Sequence, residues 1–132
     1  MNIGEAARAS GISAKMIRYY ESVGLISPAE RTGNGYRVYS GPDVHMLRFI
    51  KRARDLGFSM AQTEQLVHLW RDQHRSSSEV KRVARDHIEE LQQKIDELQR
   101  MKRTLEHLAQ HCHGDHRPDC PIIDDLAEAR HE

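Results

Sequence analysis

The stretch HCHGDHRPDC, from His111 to Cys120, holds both cysteines of this 132-residue chain and three of its nine histidines. Thiolates are ligands for soft metal ions, imidazoles suit borderline ones, and paired thiols also do redox chemistry. The stretch can be read as a disulfide loop, a zinc site, a site for a softer metal, or a charged tail. No apolar run approaches membrane-spanning length, and no signal-peptide pattern follows Met1, so a cytoplasmic protein without a membrane partner is expected. Reducing conditions there argue against a structural disulfide and for metal or redox chemistry at Cys112 and Cys120.

The two cysteines enclose seven residues, whereas the common zinc-finger spacing is C-x₂₋₄-C. Two thiolates suit Cu(I), and they can hold a monovalent d¹⁰ ion in linear, two-coordinate fashion. One net negative charge then remains, which a nearby helix N-terminus would stabilise. A divalent ion calls for more ligands, since zinc normally takes four. His111, His113 and His116 offer enough extra donors for a Cys₂His₂ zinc site; read otherwise, they are solvated loop residues. Asp115, Asp119, Asp124 and Asp125 resemble no calcium loop and are read as tail charges. Pro121-Ile122-Ile123 with Leu126 suits a short two-turn element with an apolar face, expected to pack on the rest of the chain when the loop holds metal.

Other elements must position this loop. Ile3, Ala6 and Ala7 give a first helix its apolar face. Gly11 suits the turn, Ser13 is an N-cap, and a second helix is expected from Ala14 to about Glu21, with Gly24 helping to stop it. Helix, Gly-bearing turn and helix make a helix-turn-helix. Its second helix offers Lys15, Arg18, Tyr19 and Tyr20 to base edges or phosphates. In RTGNGYRVYS, Asn34-Gly35 is the favoured pair for a type I′ hairpin turn, which makes the segment a wing. Arg31, Tyr36 and Arg37 are its candidate backbone contacts. The alternative is a helical hairpin and a connecting loop with ordinary surface charges.

Two helices follow. Ser40 caps the first, Pro42 sits in its opening turn, and Gly57 ends it. Val44, Leu47, Ile50 and Ala53 form its apolar face, and Arg54 belongs to a basic cluster that is a further DNA candidate. Ser59 with Gln62 forms a capping box for the next helix, whose apolar positions are Leu66, Val67, Leu69 and Trp70. Another capping box at Ser76–Glu79 opens the longest helical pattern, from about Val80 to Ala109. Ala84, Leu91, Leu98 and Leu105 recur every seven residues, partnered by Ile88, Ile95, Lys102 and Ala109. This pattern predicts a coiled coil joining two copies of the chain, with Ile88, Leu91, Ile95, Leu98 and Leu105 in the interface.

The formal net charge is zero but unevenly spread. Residues 1–70 carry nine Lys/Arg against six Asp/Glu, and residues 111–132 carry two against six. A mildly basic head permits nucleic-acid binding. An enzyme is not expected: no nucleophile–base arrangement, phosphate-cradling loop or metal site with an obvious open position is visible.

Three stretches in order, IGEAARASGISAKMIRYYESVGLI, GNGYRVYS and DVHMLRFIKRARDLGFSM, resemble the MerR family of bacterial transcription regulators over about residues 1–110. The Cys112–Cys120 loop with its following Pro and two isoleucines is similar to the copper-efflux (CueR-like) branch. Ser77 stands where divalent-metal branches carry cysteine and monovalent sensors carry serine. The resemblance implies a mainly α fold with a winged helix-turn-helix DNA-binding head (1–70), including a helical pair, and a linker or hinge (71–79). A long dimerisation helix (80–110) and a metal-binding loop and tail (111–132) complete it. It further implies a homodimer on a pseudo-palindromic promoter, one Cu(I), Ag(I) or Au(I) per subunit on Cys112 and Cys120, and RNA polymerase as a partner. Metal binding would activate efflux or detoxification genes by distorting the promoter. A zinc or thiol-redox regulator of the same fold is the alternative.

Overall fold

The structure is a computed structural model that describes residues 1–128 except Asn34, His113, Asp115, His116, Arg117 and Asp119. Among the described residues, six helices and one short hairpin follow in the order α1 (Ile3–Ser10), α2 (Ala14–Ser22), β1 (Glu30–Arg31), β2 (Arg37–Val38), α3 (Gly41–Asp55), α4 (Met60–Arg71), α5 (Ser77–Gln110) and α6 (Pro121–Ala127). They divide into two compact units, Met1–Ala84 and Arg85–Glu132.

Local chemistry sets most boundaries. Asn2, Ser40 and Ser59 each accept from the third residue of the following helix, and Glu5, Asp43 and Gln62 reach back to the cap backbone. Each such reciprocal box satisfies two otherwise orphaned donors. Gly11 ends α1 with φ +78°, a left-handed conformation that a side chain resists. At the end of α3 the Phe58 N–H donates to the Ala53 carbonyl, closing the chain back on the helix. Ser76 Oγ accepts from the Glu79 N–H, and α5 begins at Ser77, a turn earlier than the apolar periodicity indicates.

The core of the first unit joins α1 (Ala6), α2 (Ile17, Tyr20), the following loop (Leu25, Ile26), Tyr39, α3 (Val44, Leu47, Ile50) and α4 (Val67). Full burial of one such aliphatic side chain is worth about 1.5–3 kcal/mol. Thr63 is fully buried as well, and its hydroxyl donates to the Ser59 carbonyl at 2.8 Å. Of the other apolar α4 positions, Leu66, Leu69 and Trp70 are only half-buried. They line a groove of ≈ 380 Å³ with Phe49, Val80 and Ala84.

The hairpin differs from expectation. Glu30 pairs with Val38 and Arg31 with Arg37. Thr32 N–H donates to the Tyr36 carbonyl and Gly35 N–H to the Thr32 carbonyl. These bonds enclose a three-residue loop, 33–35, with Gly35 in the left-handed region at φ +82°. A two-residue type I′ turn centred on Asn34-Gly35 would pair the strands one residue out of this register, so that expectation is corrected. A glycine at the end of a three-residue loop has the same composition and a different geometry. Asn34 itself lies outside the described residues.

In the second unit, Ile88, Leu91, Ile95, Leu98 and Leu105 are all exposed on α5. Lys102, on the same heptad row, lies 4.0 Å from Glu106 one turn on. Among the described residues, no helix is long and apolar enough to cross a membrane.

Candidate nucleic-acid interface and metal centre

Helix α2 presents two faces. Ile17 and Tyr20 point into the core, and Lys15, Arg18 and Tyr19 are exposed. Tyr20, expected at DNA from its residue type, is 5% exposed and packs among apolar side chains. That expectation is corrected: three residues beyond Ile17, Tyr20 falls on the same inner face of the helix.

The hairpin stands beside α2. Arg18, Arg31, Tyr36 and Arg37 line one groove of ≈ 480 Å³ with Asn2 and Ile3 at the start of α1. Three guanidinium groups with an exposed tyrosine form a surface suited to a phosphate backbone. Arg54 is not part of this groove. It is exposed at the end of α3, and its Nη1 donates to the Phe58 carbonyl at 2.7 Å.

Glu21, in the last turn of α2, ties the hairpin down. Its carboxylate accepts from the Tyr39 hydroxyl and lies 3.5 Å from Arg37 Nε. Burial, and then the Glu21 carboxylate, push the Tyr39 phenol from 10.0 up to about 12. The N-terminal amine donates to the Tyr39 carbonyl at 2.9 Å, and Tyr39 N–H returns a bond to the Met1 carbonyl at 2.6 Å. Arg71 Nη2 donates to the Leu25 carbonyl at 3.0 Å, joining α4 to the loop after α2. Tyr39 also packs in the core with Ile17 and Tyr20, so apolar contact and the Glu21 carboxylate together join α2 to the hairpin.

Cys112 follows the end of α5, where its N–H donates to the Ala109 carbonyl. Cys120 is the N-cap of α6, with Pro121 in the first turn. The two sulfurs lie 3.3 Å apart, and both cysteines are free. A disulfide needs about 2.05 Å, so this is a pair of thiols in contact. The Ile123 N–H, the Cys112 thiol and the Ile122 N–H hold the Cys120 thiol below its ordinary range, with partial burial and Asp124 acting against them. A thiol that ionises readily is more often in the thiolate form, the form that binds metal and attacks electrophiles. Ile123 and Leu126 on α6 are exposed. His111 is exposed and precedes Cys112 directly; His113 and His116 lie outside the described residues. Ser77 is exposed in the first turn of α5, and Cys112 follows the opposite end of that helix.

The family described as MerR HTH family regulatory protein matches residues 1–69, and MerR, DNA binding, matches residues 44–108. The chain belongs to the MerR family. It is 64% identical over 127 residues to heavy metal-dependent transcription regulator 2 of Rhizobium meliloti (96% of this chain, 86% of that protein). To the transcriptional regulator CueR of Escherichia coli O6:H1 it is 40% identical over 131 residues (99% and 97%). The crystal structure of the transcription regulator PbrR691 from Ralstonia metallidurans CH34, in complex with lead(II), aligns with a TM-score of 0.83 at 28% identity (96% and 99%). As a MerR protein the chain is a DNA-binding transcription regulator and not an enzyme.

Sequence reading missed two features of this MerR chain. Glu21 and Tyr39 join the wing to α2 across 18 positions, a contact that no local pattern encodes. The N–H groups beside Cys120 belong to the chain's own α6, and Pro121, a favoured opening residue of helices, was the available signal.

Proposed function

We propose that this MerR regulator senses a soft monovalent ion, Cu(I), Ag(I) or Au(I), with Cys112 and Cys120 as ligands in each subunit. The observation that carries the reading is the pair of unbonded thiols 3.3 Å apart in a chain that also has a winged DNA-binding head. The donor set fits: two soft sulfurs, one of them with a lowered pKa. Such an ion neutralises all but one of the two thiolate charges, and the N–H groups at the start of α6 offset part of the remainder. The resemblance to heavy metal-dependent regulators and to CueR favours the same reading.

Two copies of the chain pair through Ile88, Leu91, Ile95, Leu98 and Leu105. Ser77 then acts from the partner subunit. The dimer acts in the cytoplasm. It sits on a pseudo-palindromic promoter with Lys15, Arg18, Tyr19, Arg31, Tyr36 and Arg37 at the DNA, and Arg54 as a further backbone contact. Of the expected linker 71–79, residues 72–76 lie between α4 and α5 and serve as the hinge. Metal binding stabilises a second arrangement of the dimer that distorts the promoter for RNA polymerase at copper efflux or detoxification genes.

The lead(II) complex of PbrR691 favours a second reading, a divalent sensor. An anaerobic Cu(I) titration against a chromophoric chelator separates the two, using wild type, Cys112→Ser and Ser77→Cys. One tight Cu(I) per subunit, lost in Cys112→Ser, is the expected result, with Ser77→Cys raising Zn(II) affinity relative to Cu(I). Weak Cu(I) binding indifferent to Cys112 would move the site to zinc or to a thiol-redox switch.

A further inference from the structure

His107 lies in the last turn of α5, and His111, four residues on, directly follows the helix's last residue, Gln110. Both are exposed, and their ring centroids are 4.5 Å apart with the planes at 71°. Two imidazoles one helical turn apart are a standard way for a helix to bind a borderline divalent ion, because the backbone fixes the spacing of both donors. The position adds to this. The end of a long helix carries partial negative charge from its unpaired carbonyls, which favours a cation over the last turn. Neither ring lies in the sulfur pair, whose partners are Cys112, Cys120 and the α6 backbone. Arg103, one turn before His107, acts against a cation here and limits how tightly it is held.

We infer that His107 and His111 form a second metal site, of imidazole type, that takes a borderline divalent cation such as Ni(II), Cu(II) or Zn(II). It differs from the thiolate site in ligand chemistry: imidazole suits these ions, and thiolate suits Cu(I). With two protein ligands the ion keeps water or other small ligands in its remaining positions. Cys112 directly follows His111, so a bound ion clamps the end of α5 to the start of the sensor loop. The inference does not rest on the Cu(I) assignment, since the site contains no sulfur.

The test uses the full-length Cys112→Ser/Cys120→Ser protein, which has no thiol ligand left, titrated with Ni(II) by calorimetry. One Ni(II) per chain is expected to bind. Adding His107→Ala is expected to weaken it at least about tenfold, as loss of one of two ligands should. Amide hydrogen exchange is expected to slow at residues 107–112 when Ni(II) is added to the parent and to stay unchanged in the His107→Ala variant. Absence of Ni(II) binding to the thiol-free protein would overturn the inference. Binding that His107→Ala leaves intact would overturn it equally, by assigning the ion to other histidines. Neither result would alter the Cu(I) titration, so the two proposals fail separately.

Discussion

At the residue scale, a few side chains set both sites. Cys120 combines a soft donor with the N–H groups of a helix start, which favour its ionised form. Glu21 does comparable work at the DNA end by facing Arg37 and Tyr39 together. The Tyr39 phenol has a native pKa of about 12 against an ordinary 10.0, so the folded state holds the proton more tightly. Its contribution is therefore complete below pH 10, and it declines as pH rises towards 12, because the unfolded chain ionises first. Urea unfolding followed on both sides of pH 10 should show stability falling on the alkaline side. Tyr39→Phe should be less stable by about 1–3 kcal/mol at neutral pH and should lose part of that alkaline slope. An unchanged slope in Tyr39→Phe would show that the phenol does not carry the effect. Much at this scale was legible in the sequence. Ser40, Ser59 and Ser76 declare helix starts because capping is local chemistry. Tyr20 misled because its hydroxyl suggests a phosphate, yet the period set by Ile17 already assigned it to the core.

At the element scale, two predictions separate the wing from the long helix. Arg37 sits in the groove with Arg18 and Arg31 while Glu21 holds its position. If it neutralises one phosphate, Arg37→Ala should lower the slope of log binding constant against log salt by about 0.9. It should also weaken binding to all DNA sequences alike. A salt slope equal to wild type would remove Arg37 from the backbone contacts. On α5, Ile95 and Leu98 are exposed in the single chain, at 47% and 63%. Burying each against a second chain would contribute about 1.5–3 kcal/mol. Ile95→Glu and Leu98→Glu should therefore shift the protein to monomers in sedimentation and cost promoter affinity; dimers that persist in both would place the interface elsewhere. The helices were readable from apolar period and caps; the heptad row is exposed in the single chain together with most of α5. The hairpin loop was less readable, since Gly at the end of a three-residue loop and Asn-Gly in a two-residue turn look alike until the strand register is known. The wing beside the helix-turn-helix was readable from the order of the elements; the bond from Tyr39 to the Glu21 carboxylate, 18 positions away, was not.

In the whole molecule, a winged DNA-binding head is followed by a 34-residue helix and, beyond its end, a thiol pair. A metal can change promoter output only if it binds two arrangements of the dimer with different affinity. The family, its DNA-binding role and its broad architecture were visible from three stretches of sequence, because their helices, wing and caps follow one another at fixed separations. The sulfur contact needed coordinates, since seven intervening residues permit many loop geometries. The most direct test is transcription in vitro by RNA polymerase from a promoter that the protein itself selects from genomic fragments. Wild type and Cys120→Ser would be compared with and without Cu(I) under anaerobic conditions. The account predicts transcripts that rise at least about tenfold with Cu(I) in wild type and do not respond in Cys120→Ser, which should still bind the promoter. Transcription indifferent to Cu(I) in wild type, or a full response in Cys120→Ser, would contradict it.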